Sequence, residues 1–189
     1  MMAACERSLR RLGLDCIDLY LLHWRGRVPL AETVDAFERL RADGRIRRWG
    51  VSNFDTADME ELHALPDGRH CAVNQVLYNL DERGIEWRLL DWCRVRRIPV
   101  MAYSPVAQGA LLANPKLAAI ARAIDVTPAQ LALAWVLTRP QVIAIPKSSN
   151  LAHVDEIRAA VAIELDDGVA AALDAAFAPP QSETRLNVI

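Results

Sequence analysis

Cys16-Ile-Asp-Leu-Tyr-Leu-Leu-His-Trp24 is an apolar run that closes on a chemically capable pair, and four later stretches repeat the design. They are Ile46-Arg-Arg-Trp-Gly-Val-Ser-Asn53, Ala72-Val-Asn-Gln75, Pro99-Val-Met-Ala-Tyr-Ser-Pro105 and Val142-Ile-Ala-Ile-Pro-Lys-Ser148. Strands covered on both faces read as near-continuous apolar runs, which is the habit of parallel sheets. Strand–helix alternation turns every strand's carboxyl end to one side, where α/β proteins bind and react. The pattern therefore predicts an α/β fold whose strand ends bring His23, Ser52, Asn53, Gln75, Tyr103, Lys147 and Ser148 together.

The connecting segments carry helix signals. Ala3–Leu12 is amphipathic and stops at Gly13; Leu30–Ala42 presents Val34, Phe37 and Leu40 on one face and stops at Gly44. Asp55 suits the N-cap of a helix over Ala57–Leu65, and Pro66-Asp-Gly68 suits a turn. A helix is expected over Glu82–Arg96, with Trp87 on its buried side together with Leu90 and Cys93 or with Trp92. Further helices are expected over Asn114–Ala123, over Ala129–Leu137 behind Thr127-Pro128, from Asn150 to about Ala162, and over Asp166–Phe177. An irregular tail then begins at Ala178-Pro-Pro180. Period-two alternation places Tyr20 on the side of the first strand opposite His23.

At 189 residues, 52% of them hydrophobic, the chain suits one domain or a large part of one. A formal charge of −2 gives no argument for a nucleic-acid or membrane partner. Cys5, Cys16, Cys71 and Cys93 lack metal-ligand spacing, so no metal is expected, and they read as reduced thiols of a cytoplasmic protein.

The five runs also carry a resemblance. Tyr-Leu-Leu-His-Trp (20–24), Trp-Gly-Val-Ser-Asn-Phe (49–54), Val-Asn-Gln (73–75), Tyr-Ser-Pro (103–105) and Ile-Pro-Lys-Ser (145–148) resemble, in order, blocks of the aldo/keto reductases, and look most like bacterial methylglyoxal-reductase-like members. The resemblance implies a TIM barrel, an eight-stranded (β/α) barrel, and NADPH-dependent reduction of a small carbonyl substrate, an aldehyde or ketone. His23 would be catalytic, orienting the carbonyl, and Trp24 would line the substrate pocket. Ser52, Asn53 and Gln75 would hold the nicotinamide carboxamide, which needs donors and acceptors alike. Tyr103 would stack on the nicotinamide ring, with Ser104 beside it as a further cofactor contact. Lys147, Ser148, Ser149 and Asn150 would bind the 2′-phosphate with the help of the following helix N-terminus, and Glu156 would contact the adenine. His153 stands where the family often has Arg, which weakens the grip on a 2′-phosphate.

Set against that family, residues 1–189 form a partial barrel domain holding the C-terminal five strands and lacking the first three. Those three carry the family's catalytic Asp, Tyr and Lys. None of the chain's tyrosines is expected to replace the missing acid: Tyr20 faces away from His23, Tyr78 follows the third strand, and Tyr103 has the stacking role. Asp55-Thr-Ala57 reads as a helix cap. The expectation is an N-terminally truncated reductase with no more than trace turnover. A non-catalytic nucleotide-binding module and an inactive fragment are the alternatives. Oligomeric state is left open by the sequence.

Overall fold

A computed structural model describes all 189 residues, which divide into two compact units, Met1–Gln75 and Val76–Ile189. The first unit begins with helix α1 (Met2–Leu12), strand β1 (Ile17–Leu22), helix α2 (Leu30–Ala42), strand β2 (Ile46–Ser52) and helix α3 (Thr56–Ala64). It ends inside strand β3 (Cys71–Leu77). The second unit carries helix α4 (Leu89–Val95), strand β4 (Val100–Tyr103), helices α5 (Pro115–Ala123) and α6 (Pro128–Leu137), and strand β5 (Val142–Ala144). Helices α7 (Leu151–Ala159) and α8 (Asp167–Ala176) complete it.

All pairings within each unit are parallel. Tyr20 stands opposite Trp49 in β1 and β2, Ser52 stands opposite Gln75 in β2 and β3, and Met101 stands opposite Ile143 in β4 and β5. A parallel neighbour needs a crossover, and the helices supply it.

The caps expected from the sequence account for most helix boundaries. Gly44 sits at φ +69 after α2, a left-handed conformation open to glycine at little cost. It allows Gly44 N–H to reach the carbonyl of Arg41 and Arg45 N–H that of Leu40, which is a Schellman closure. Asp55 and Asp58 form a reciprocal capping box on α3, and Thr127 and Gln130 form one on α6. Pro128 occupies the first turn of α6, where its missing N–H costs nothing.

The core of the first unit is an aromatic stack. Phe37 of α2 lies parallel to Trp49 of β2 at 4.8 Å, and Tyr20 meets Phe37 edge-on at 6.3 Å. The indole N–H of the fully buried Trp49 donates to Glu38 at 2.6 Å, and Arg41 holds the same carboxylate at 2.7 Å. In the second unit α6 buries six consecutive residues, Leu131 to Val136. No single helix is long and apolar enough to cross a membrane; α5 and α6 reach the length together but bend by 84°.

One expectation fails. The helix foreseen over Glu82–Arg96 is broken into a 3₁₀ turn, Gly84–Trp87, and α4, with Arg88 at φ −146 between them. The break shifts the phase of the side chains. Trp87 turns outward, 46% exposed, while Arg83 turns inward, 5% exposed. Arg83 wins the interior because its fork is satisfied there. Nε and Nη2 donate to Glu86 at 3.0 and 2.8 Å, and Nη1 donates to Asp174 at 2.7 Å and to the Phe177 carbonyl at 2.6 Å. Arg83 and Arg139 also lie against the Trp135 ring, at 4.9 and 4.7 Å.

Candidate active site and nucleotide cleft

In the first unit the sequence-predicted residues meet where β1, β2 and β3 end. Ser52, buried, donates through Oγ to the Gln75 carbonyl at 2.9 Å. The backbone N–H of Asn53 donates to the same carbonyl at 2.8 Å. Asn53 lies at φ +59, a left-handed position that Asn tolerates better than most residues. That twist turns its amide back, so Nδ2 donates to Ser52 Oγ at 3.2 Å and to the His23 carbonyl at 3.3 Å. The backbone of His23 is thus tied to the residue that follows β2.

His23 is exposed, and its ring lies 5.6 Å from that of Trp24 at a tilt of 36°. The loop beyond them is tied down by Arg25, which pairs with Asp58 and, at 2.6 Å, with Glu61 of α3. Arg25 lies outside the residues that the strand-end pattern marks. The signal lay in Asp58 and Glu61, three apart on α3 and so on one face of that helix.

In the second unit Tyr103 is the last residue of β4, and the backbone N–H of Ile189 donates to its phenol oxygen. Burial raises the Tyr103 pKa above the ordinary phenol value, and that hydrogen bond opposes the rise. Ser104 follows at φ +48, with Ala107 at +49 and Gln108 at +54. Three non-glycine residues in left-handed conformation within five positions store backbone strain, a feature that collects at functional sites. Asn79 supports the first of them: Nδ2 donates to the Ser104 carbonyl at 2.9 Å, while Oδ1 accepts from the backbones of Asp81 and Glu82.

The strained loop forms one wall of a cleft of about 440 Å³. Ser104, Gln108, Lys147, Ser148, His153 and Glu156 supply its polar lining, and Val106, Leu112, Leu133, Ile145 and Ile157 its apolar side. Tyr103, Ser149 and Asn150 are not among its lining residues. Asn150 instead caps α7, its Oδ1 accepting from Ala152 N–H at 3.0 Å, and its own N–H donates to Ser148 Oγ at 3.0 Å. An ammonium, an imidazole, a hydroxyl and a helix N-terminus around one cleft, with Glu156 the only carboxylate among the lining residues, suit an anionic ligand carrying a flat apolar part. Helix α7 buries none of its nine residues. Gln108 was not foreseen; the Gln-Gly pair at 108–109 marked a turn but not a binding wall.

Each donor set, taken by itself, suits a polar or anionic group. The cluster in the first unit offers amide and hydroxyl groups, and the cleft in the second offers cations beside apolar walls. Parallel strands joined by helical crossovers define an α/β protein with polar side chains gathered at its strand ends.

The particular family follows from comparison with known proteins. Residues 1–178 match the aldo/keto reductase family, and the chain belongs to it. It is 51% identical to methylglyoxal reductase YeaE of Escherichia coli, covering 98% of this chain and 67% of that protein. It is 43% identical to glyoxal reductase of Bacillus subtilis, covering 78% of this chain and 52% of that protein. An aldo-keto reductase of Klebsiella pneumoniae solved in complex with NADPH superposes with a TM-score of 0.96 at 52% identity, over 98% of this chain and 67% of that one. An aldo/keto reductase of the same organism in complex with NADP and acetate gives 0.97 at 51% identity, over 100% of this chain and 69% of that one. The chain thus spans between half and about two thirds of the relatives it matches, and its five parallel strands are part of a barrel of aldo/keto reductase type.

Proposed function

We propose that the chain carries the NADPH-binding portion and the carbonyl-orienting histidine of a cytoplasmic carbonyl reductase acting on small 2-oxo-aldehydes such as methylglyoxal. The observation that carries the reading is the hydrogen-bonded set Ser52, Asn53 and Gln75, built on neighbouring strand ends and tied by Asn53 to His23. A carboxamide is held by such a set because it offers two donors and an acceptor.

Bound NADPH supplies a hydride to the carbonyl carbon, and the oxygen must then gain a proton. Ser52, Asn53 and Gln75 would hold the carboxamide of the nicotinamide and so orient the ring. Tyr103 would stack on the nicotinamide ring, as the family resemblance implies. Lys147, Ser148, His153 and the first turn of α7 neutralise the 2′-phosphate, Ser149 and Asn150 shape that turn, and Glu156 and Ser104 flank the adenosine side. His23 donates a hydrogen bond to the carbonyl oxygen and orients it, and Trp24 closes the substrate side. The five strands correspond to the fourth to eighth strands of the barrel.

Proton donation is the step these residues do not supply well. Tyr20 packs on Phe37, and Tyr78 donates to Glu86 at 2.6 Å, with its pKa driven up by burial and by that carboxylate. Tyr103 is held by Ile189. The 189 residues by themselves are therefore expected to bind NADPH with no more than trace turnover.

The test is NADPH titration of the purified chain by nicotinamide emission, with methylglyoxal turnover on the same sample. Saturable binding that Ser52→Ala weakens by about tenfold, the worth of a hydrogen bond to a buried polar group, supports the reading. Absence of binding by a folded chain would sink it, and brisk turnover would sink the statement about the proton donor.

A further inference from the structure

We propose that Ser182–Ile189 is a strap, buckled to the segment 82–88, that holds the Tyr103 ring in its working orientation and slows departure of the cofactor. The inference rests on the assignment of Tyr103 to the nicotinamide ring. After α8 the chain has no regular structure, yet it follows a fixed course. Arg83 grips the Phe177 carbonyl at its start. Further on, Glu183 pairs with Arg88 at 3.5 Å, and Asn187 Nδ2 donates to Glu82 at 2.7 Å. Between them Thr184 presses onto Gly84 so closely that a Cβ there would lie 2.7 Å from the Thr184 hydroxyl. The course ends with Ile189 N–H on the Tyr103 phenol oxygen.

Two physical points follow. The strap is exposed along most of its length, so apolar burial does not hold it; the three ties do. The Ile189 bond acts on the phenol oxygen, at the edge of the ring. A strap so placed restrains the ring's tilt. Glu82, Gly84 and Arg88 are positioning residues in this scheme, since they act on Tyr103 only through the tail. A side chain at Gly84 would have to displace the Thr184 hydroxyl.

The experiment uses the full chain and the variant Asn187→Asp, which sets a carboxylate against Glu82 on an exposed tail and leaves the core untouched. Peptide-level hydrogen exchange of residues 182–189 is measured without cofactor, and NADPH dissociation is followed by stopped-flow emission. Faster tail exchange together with about fivefold faster NADPH release is expected from losing one hydrogen bond. The pair Glu82→Lys with Asn187→Asp restores the tie with opposite charges and should return both readouts toward the parent values. Unchanged tail exchange in Asn187→Asp would overturn the buckle. Faster exchange with unchanged release would overturn the action on Tyr103 while leaving the cofactor reading intact. A parent chain that does not bind NADPH removes the cofactor reading and the strap's effect on release with it.

Discussion

Replacing Arg83 by Met tests the central claim about the second unit, that one buried guanidinium organises it. The substitution keeps an unbranched apolar stem against Trp135 and removes every donor. Four hydrogen bonds are lost, but they are not equal. Asp174 is 49% exposed, so water takes over its pairing and its share is small. Glu86 is only 15% exposed and loses a two-pronged partner, keeping the Tyr78 hydroxyl at 2.6 Å and Arg139 at 3.8 Å. Stranding one member of a buried pair costs about 3–5 kcal/mol, and the retained Tyr78 bond points to the lower end, about 3 kcal/mol. With a urea slope of about 2 kcal/mol per molar, the midpoint should fall by about 1.5 M. The assay is urea unfolding followed by far-UV circular dichroism and tryptophan emission, whose coincidence licenses a free-energy reading. The double variant Arg83→Met with Glu86→Gln strands no charge and should regain roughly half of the loss. A midpoint change under about 0.3 M, or a double variant worse than Arg83→Met, would refute the reasoning.

Lys147→Met should weaken NADPH binding by on the order of tenfold to a hundredfold and leave weak NADH binding unchanged, because the ammonium acts on the 2′-phosphate alone; parallel titrations with both dinucleotides check it. Asp55→Ala should cost about 1 kcal/mol by opening the capping box on α3, read as a urea midpoint shift. Glu38 gives a pH signature. Burial alone would raise its pKa, but the Trp49 N–H and Arg41 outweigh burial, His70 at 3.3 Å adds to them, and the net shift is downward from 4.5. A depressed acid contributes stability that is full above the ordinary carboxylate range and is lost as pH falls through the depressed value. The stability difference between the parent and Glu38→Gln should therefore shrink as pH falls below the ordinary carboxylate range; a difference that grew there would contradict the assignment.

The strand runs were readable because strands covered on both faces need unbroken apolar sequence, and the caps because Asp, Thr and Asn have few local uses besides caps and turns. β2 and α2 have the bounds the pattern indicated, and Asp55 caps α3 as expected. Segment 82–96 misled because an apolar spacing that includes Trp87 outweighs a charged residue in any periodicity argument. The three hydrogen-bond partners of Arg83 include Asp174 and the Phe177 carbonyl, over ninety positions away, and no local pattern carries that information. The site was legible as a set of strand-end residues. Its wiring was not: the left-handed turn at Asn53, the tie to His23 and the strained 104–108 loop are backbone properties that residue identity leaves undetermined.

Helix α7 has no fully buried residue, so its Asn150 cap, its own ladder and a half-buried edge at Glu156 and Ile157 are what keep its amides shut. Such a segment belongs to the low-free-energy end of a protein's opening spectrum, while α6, sunk in the core, belongs to the high end. Two neighbours in sequence should then trade amide protons with solvent on widely separated clocks. Any anion that settles on the first turn of α7 would slow the faster clock alone.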